Sequence, residues 1–167
     1  MATIDLNGPI LANKLLCGND VIAEDVTCTL PDVTFLKADY KANGTISLPI
    51  PLVEAMEAGI TKIGLNKKLG KIQKLEPKNF EFRIVQEDLK LDGTKKQTGI
   101  KAFIRGCANK LSGGSIEPGT SWSGEIAISV IRYQLIVDGV EQHLIDPLKG
   151  IIKIDGEDYG QTTKNLL

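Results

Sequence analysis

Asp-Gly suits a two-residue β-hairpin turn better than almost any other dipeptide, because both of its residues tolerate positive φ. It occurs three times in this chain, at Asp92-Gly93, Asp138-Gly139 and Asp155-Gly156, each time between apolar runs. A chain punctuated in this way is constrained toward antiparallel β-structure. The runs themselves agree. Val26, Cys28 and Leu30 alternate with Thr27 and Thr29, and Phe80, Phe82 and Ile84 alternate with Glu81 and Arg83, the period of a strand with one buried face. The longest run, Thr120 to Val137, changes parity: Ile126, Ile128 and Val130 share one face, whereas Ile131, Tyr133, Leu135 and Val137 share the other. Two readings are open. Either the strand carries a bulge, or it is covered on both faces, which would need a partner such as a second copy of the chain.

One helix is predicted. In LNKKLGKIQKLE, Leu65, Leu69, Ile72 and Leu75 follow helical spacing, with Asn66 or its neighbour at the start and Pro77 beyond the end. Gly70 inside it costs about 1 kcal/mol relative to Ala. Between Glu54 and Leu65, the EAMEA propensity for helix competes with alternation of Met56, Ala58 and Ile60, and the segment reads as a strand leading into the helix. Ser112-Gly113-Gly114-Ser115 and Glu117-Pro118-Gly119 mark an exposed loop. Residues 1–167 therefore read as a single β-rich domain with one short α-helix.

Composition excludes several function classes. The 167 residues include 20 Lys and Arg against 21 Asp and Glu, a formal charge of −1, and the bases are 17 Lys with only three Arg. With no basic tail and a sequence pI near 5.9, general nucleic-acid binding is not expected. Nothing approaches the roughly 18 consecutive apolar residues of a membrane helix, so no membrane anchor is expected. The opening MATIDLNGPI lacks the charged and apolar regions of a secretory signal, which points to a reducing cytoplasm. Cys17, Cys28 and Cys107 are odd in number and widely spaced, so they are expected as buried apolar residues rather than disulfides or zinc ligands.

No residue pattern selects a catalytic or cofactor site, and none is assigned: catalytic residues, metal ligands and cofactors are all expected to be absent. Gly64 to Lys71 has five residues between its glycines and Ile72 after the lysine, so it is not a phosphate loop. Lys62, Lys67, Lys68, Lys71 and Lys74 lack interleaved aromatics and read as a solvated helix face. Asp155, Glu157 and Asp158 read as a hairpin with acidic neighbours, since a Ca²⁺ loop also needs a bidentate Glu well downstream. His143, the only histidine, reads as a strand residue sharing a face with Ile145. An alternative function, a β-sandwich module that binds carbohydrate or protein, calls for an exposed aromatic platform, yet Trp122 is the sole tryptophan and lies beside a loop.

The C-terminal third carries a more specific series: Tyr133-Gln134-Leu135-Ile136-Val137-Asp138-Gly139-Val140-Glu141, then Ile145-Asp146-Pro147, then Ile151 to Gly156 and a closing TTKNLL. It resembles the major tail tube protein of contractile-tailed bacteriophages and of phage-tail-like bacteriocins. Further matches fall in family order: Asn13 through Gly18, Thr29-Leu30-Pro31, Tyr40-Lys41-Ala42-Asn43-Gly44, Phe103-Ile104-Arg105-Gly106 and Pro118-Gly119. The chain departs from the pattern at Leu15, Cys17 and Lys41 and between Lys67 and Thr98.

The resemblance implies a structural protein that forms hexameric rings, stacked into the inner tube of a contractile tail in a virion or tail-like particle. The implied fold is mainly β, a β-sandwich or barrel-like tail tube fold with one short α-helix, and strands of neighbouring subunits would join into a ring-wide barrel. The implied partners are further copies of the chain, a tail sheath protein, and baseplate and tail terminator proteins. The tube would be a conduit for DNA passage or envelope puncture, touching DNA only in passage. Tyr40 to Leu52, with Gly44, Pro49 and Pro51, reads as long and irregular; it resembles the family's extended loop and is implied to make the ring-to-ring contact.

Overall fold

The computed structural model describes residues 6–65 and 67–167, without the side chains of Lys62 and Ile63. The elements run β1 (Leu6–Cys17), β2 (Asp20–Glu24), β3 (Thr27–Thr29), β4 (Phe35–Lys41), β5 (Thr45–Val53), β6 (Met56–Ile63), α1 (Leu69–Ile72), β7 (Lys78–Leu89), β8 (Lys95–Leu111). They continue with β9 (Gly124–Val137), β10 (Val140–Asp146), β11 (Ile151–Ile154), β12 (Glu157–Asp158) and α2 (Tyr159–Asn165). Ten strands form one open sheet in the order β12-β11-β10-β9-β8-β7-β1-β2, with β6 attached to β9 and β3 to β6. The remaining two, β4 and β5, form a separate hairpin.

Strand β9 organises this sheet. Along one edge it pairs with β8, while its other edge is divided: Gly124–Val130 meets β6, and Tyr133–Val137 meets β10. The division falls where the sequence changes parity. Gly106 faces Val130 and Arg105 faces Arg132, so Ile131 is an extra residue on β9. Of the two open readings, the bulge is the one observed, and it lets Ile126, Ile128 and Val130 on one side of it and Tyr133 and Leu135 on the other all reach the same core. Gly106 is required opposite the bulge, because a Cβ there would lie 2.3 Å from Ser129 O and 2.8 Å from Ile128 Cγ2.

The core collects Leu15 from β1, Met56, Ala58 and Ile60 from β6, Phe80 and Phe82 from β7, Ala102 and Ile104 from β8, and Ile145 and Ile152 from β10 and β11. Each large side chain fully buried contributes about 1.5–3 kcal/mol. The β2–β3 connection is fastened by Asn13. Its amide Nδ2 donates to Val26 O at 2.7 Å and its Oδ1 accepts from Val26 N at 3.0 Å, so one side chain completes both backbone groups that a strand neighbour would otherwise serve.

Two of the three Asp-Gly pairs are the expected turns, with φ of 49° and 78° at Asp138-Gly139 and 49° and 85° at Asp155-Gly156. The third differs. Lys90 N donates to Thr94 O and Gly93 N to Lys90 O, making a three-residue loop, Leu91–Gly93, in which Gly93 has positive φ and Asp92 does not. The aspartate instead caps the turn, its Oδ1 accepting from Thr94 N at 2.9 Å and Thr94 Oγ1 at 2.6 Å.

The expectation of one helix is corrected in two respects. Only Leu69–Ile72 is helical at the predicted site; Leu69 and Ile72 enter the core, whereas Leu65 and Leu75 are exposed, so two of the four periodic positions do no packing. Asn66, the expected start, lies outside the described residues, and Lys68 provides no side-chain cap. A second helix, α2, follows β12. It is capped by Asp158, whose Oδ1 accepts from Gly160 N at 3.0 Å and Gln161 N at 3.2 Å. It buries no residue, so it carries none of the apolar periodicity that marks a helix in sequence.

Candidate assembly surface

The β4–β5 hairpin stands apart from the sheet and is the most unusual surface of the chain. The irregular loop expected from Tyr40 to Leu52 is a regular antiparallel arm, registered from Lys41↔Thr45 through Tyr40↔Ile46 and Ala38↔Leu48 to Phe35↔Val53. Pro49 and Pro51 suggested irregularity, but β5 pairs only with β4. On such an edge strand a missing N–H removes no ladder bond that another strand needs. The register shift between Phe35 and Lys37 absorbs the extra residues of β5 beside those prolines. At the root, Phe35 and Val53 pack against the core.

Alternation gives the arm two unlike faces. Leu36, Ala38, Tyr40, Ile46 and Leu48 share one; Lys37, Asp39, Lys41, Thr45 and Ser47 share the other. The apolar face is uncovered in the isolated subunit: Tyr40 is 54% exposed, Ile46 52%, Leu48 51% and Leu36 40%. A two-stranded hairpin is at best marginally stable in water without packing on one face, and a contiguous exposed apolar patch marks a contact surface. The main sheet is also incomplete. From Leu6 to Ala12, β1 has β7 on one edge and no strand among the described residues on the other, with Leu6, Ile10 and Leu11 exposed. Pro9 in that stretch lacks a donor.

The residues tested for chemistry are not brought together. His143 lies on β10, half-buried, with its ring edge-on to Tyr133 at 4.9 Å between centroids and 64° between planes. Its Nε2 is buried without a hydrogen-bond partner among the described residues, and burial holds the imidazole below its usual pKa, which favours the neutral form. Burial likewise pushes the Tyr133 phenol up to about 12. The three cysteines are free and half-buried rather than fully buried; Cys17 and Cys28 pack against the core, and desolvation raises both thiols away from the reactive thiolate.

The acidic trio diverges. Asp155 sits in the turn, Glu157 accepts from Tyr159 Oη at 3.2 Å, and Asp158 caps α2. Among the described residues no group of three or more His, Cys, Asp or Glu is placed to hold a metal ion. The lysine cluster straps α1 to β2: Lys71 Nζ is 2.8 Å from Asp20 Oδ2, and Lys68 Nζ donates to Val21 O at 2.9 Å; the Lys62 side chain lies outside the described residues. Trp122 is no exposed platform. It is half-buried against the core, its Nε1 donating to Gly113 O at 3.1 Å, wedged between Gly114 and Gly124, where any Cβ would lie within 2.3 Å of the ring. No helix among the described residues is long and apolar enough to cross a membrane.

The chain is similar to known proteins in sequence and in fold. A family model described as phage tail tube protein FII matches residues 12–167, a range that includes the whole arm. No curated protein matches the chain. Among solved structures, the chain is similar to one in the cryo-EM structure of an extracellular contractile injection system, the PVC sheath-tube complex in its extended state. The two are 13% identical over 77% of this chain and 90% of that chain, with a TM-score of 0.58, a likeness of fold.

Proposed function

The chain belongs to the phage tail tube protein FII family, whose role is structural, and on that premise we propose that six copies close into a ring and that rings stack into the inner tube of a contractile tail or tail-like particle. The observation that carries the stacking is the bare apolar face of the β4–β5 arm. An arm rooted by Phe35 and Val53 and open at Tyr40, Ile46 and Leu48 gains its missing cover when it lies on the next ring. The outer edge of β1, which meets no strand among the described residues from Leu6 to Ala12, supports closure within a ring. Strand pairing between neighbours makes one continuous barrel and removes the exposed edges that otherwise invite uncontrolled association. Contacts of this head-to-tail kind close into rings when the rotation permits and repeat along an axis when they stack.

In this reading the tube is surrounded by a sheath, as in the sheath-tube complex of the structural neighbour. It is bounded by baseplate and terminator proteins, is assembled in the host bacterial cytoplasm, and conducts DNA or pierces an envelope without binding DNA specifically. Sedimentation and negative-stain microscopy of the purified chain over a concentration series test it. Hollow rings or tubes are expected; a monodisperse monomer throughout, alone and with sheath and baseplate proteins, contradicts it.

A further inference from the structure

The chain uses arginine only three times, and all three residues, Arg83, Arg105 and Arg132, project from the same face of the β7–β8–β9 region, away from the core. Phe80, Phe82, Ala102 and Ile104 fix the core-facing parity of β7 and β8, which leaves Arg83 and Arg105 on the opposite face. Arg132 arrives there through the bulge. With Gly106 opposite Val130, an unbroken ladder would set Ile131 beside Arg105; the extra residue sets Arg132 there instead. Like charges directly opposite in a ladder are destabilising, and a bulge characteristically re-aims a side chain at a working site.

Neither guanidinium is neutralised among the described residues. Among the described residues Arg105 has no carboxylate within 4.0 Å, and Arg132 reaches only the Gln134 amide oxygen, at 3.5 Å. Glu81, on the same cleft, pairs with Arg83 at 2.7 Å; Glu141 accepts from Gln134; and buried Asp146, also on the cleft, accepts from Lys149 N at 3.2 Å. The two arginines border a cleft of about 810 Å³ with Phe103 and Ile131 among its lining residues, and with the β1–β2 turn at Gly18 and Asn19 and the β10–β11 turn at Leu148 and Lys149 also on its walls.

We propose that this cleft receives a carboxylate-bearing segment of a second copy of the chain, Arg105 and Arg132 together gripping the acid. The inference rests on the self-assembly reading and adds a polar contact to it. Charge complementarity supports the occupant. Glu54, Glu57 and Asp155 are exposed and form no ion pair among the described residues, so the same chain that leaves two arginines unmatched also leaves acids unmatched. Arginine's planar fork binds carboxylate in two parallel hydrogen bonds, which the far commoner lysine cannot do. A phosphate backbone fits less well, since its binding draws on long rows of Lys and Arg, whereas this cleft is lined by three cationic side chains, Arg105, Arg132 and Lys149.

Arg105→Glu tests this cleanly, because it turns the Arg105/Arg132 repulsion into a cross-strand ion pair. The monomer should melt no lower than wild type while assembly moves to protein concentrations higher by on the order of tenfold or more. Lys67→Glu, an equal charge change elsewhere, should assemble as wild type does. Should Arg105→Glu fail to fold, Arg105→Gln gives the same readout. Normal assembly of the folded variant overturns the proposal and leaves the tube reading standing, whereas a wild type that forms no rings or tubes sinks both. Variant tubes that form normally but no longer take a sheath, or no longer retain duplex DNA that wild-type tubes retain, would assign the cleft to those partners and overturn the second-copy contact.

Discussion

Ile46→Thr/Leu48→Thr removes apolar surface from the arm while keeping a residue that suits a strand at Ile46. Ile46 and Leu48 are 52% and 51% exposed, so roughly half of each side chain remains to be covered on docking. Full burial of such a side chain is worth about 1.5–3 kcal/mol, so covering the remainder gives about 1 kcal/mol each and about 2 kcal/mol per copy. That corresponds to about 30-fold in each contact. In a ring of six the losses add to about 12 kcal/mol at every junction between rings, enough to prevent stacking at concentrations where the wild type forms tubes. Neither residue belongs to the core, so the monomer should change by no more than about 0.5 kcal/mol. The assay is the pelletable fraction over a concentration series, with thermal melts of the same samples. A variant that melts as wild type and pellets at the wild-type concentration would refute the assignment of the arm to stacking.

Gly106→Ala should destabilise the subunit by about 2–3 kcal/mol in denaturant unfolding, because the new methyl meets the Ser129 carbonyl at 2.3 Å opposite the Ile131 bulge; an unchanged midpoint would mean that the strands separate there at no cost. His143 gives a pH signature. Burial lowers its pKa in the fold, so below about pH 6.5 the unfolded chain binds a proton that the folded chain does not, and stability falls as pH drops through that value. His143→Gln should flatten this slope in unfolding midpoints measured between pH 7 and 5; an identical slope would place the titrating group elsewhere.

Much of this architecture was legible because its signals are local. The alternation of Phe80 and Phe82, the Asp138-Gly139 and Asp155-Gly156 turns and the strand from Met56 are each written in adjacent residues. The parity change at Val130 and Ile131 was visible, but choosing between a bulge and two-sided cover needed the register against Gly106 on another strand. The resemblance points to the arm but not to its regular form, since Pro49 and Pro51 forbid only a central strand and β5 is an edge. The helix is shorter than its periodicity suggests, because Leu65 and Leu75 complete the pattern yet stay exposed. In α2 only Asp158, an N-cap residue after a turn, could have signalled a start. The Arg105/Arg132 pair could not be read from sequence at all, because 26 intervening residues and one bulge decide that they meet.

The most direct test of the central claim is a cryo-EM reconstruction of the assembled particle at a resolution that traces strands. Six copies per ring, β-strands continuous from one copy to the next, and the apolar face of every β4–β5 arm covered by the adjacent ring are the expected result. A different rotational symmetry, or arms left in solvent while rings join through another surface, would contradict it.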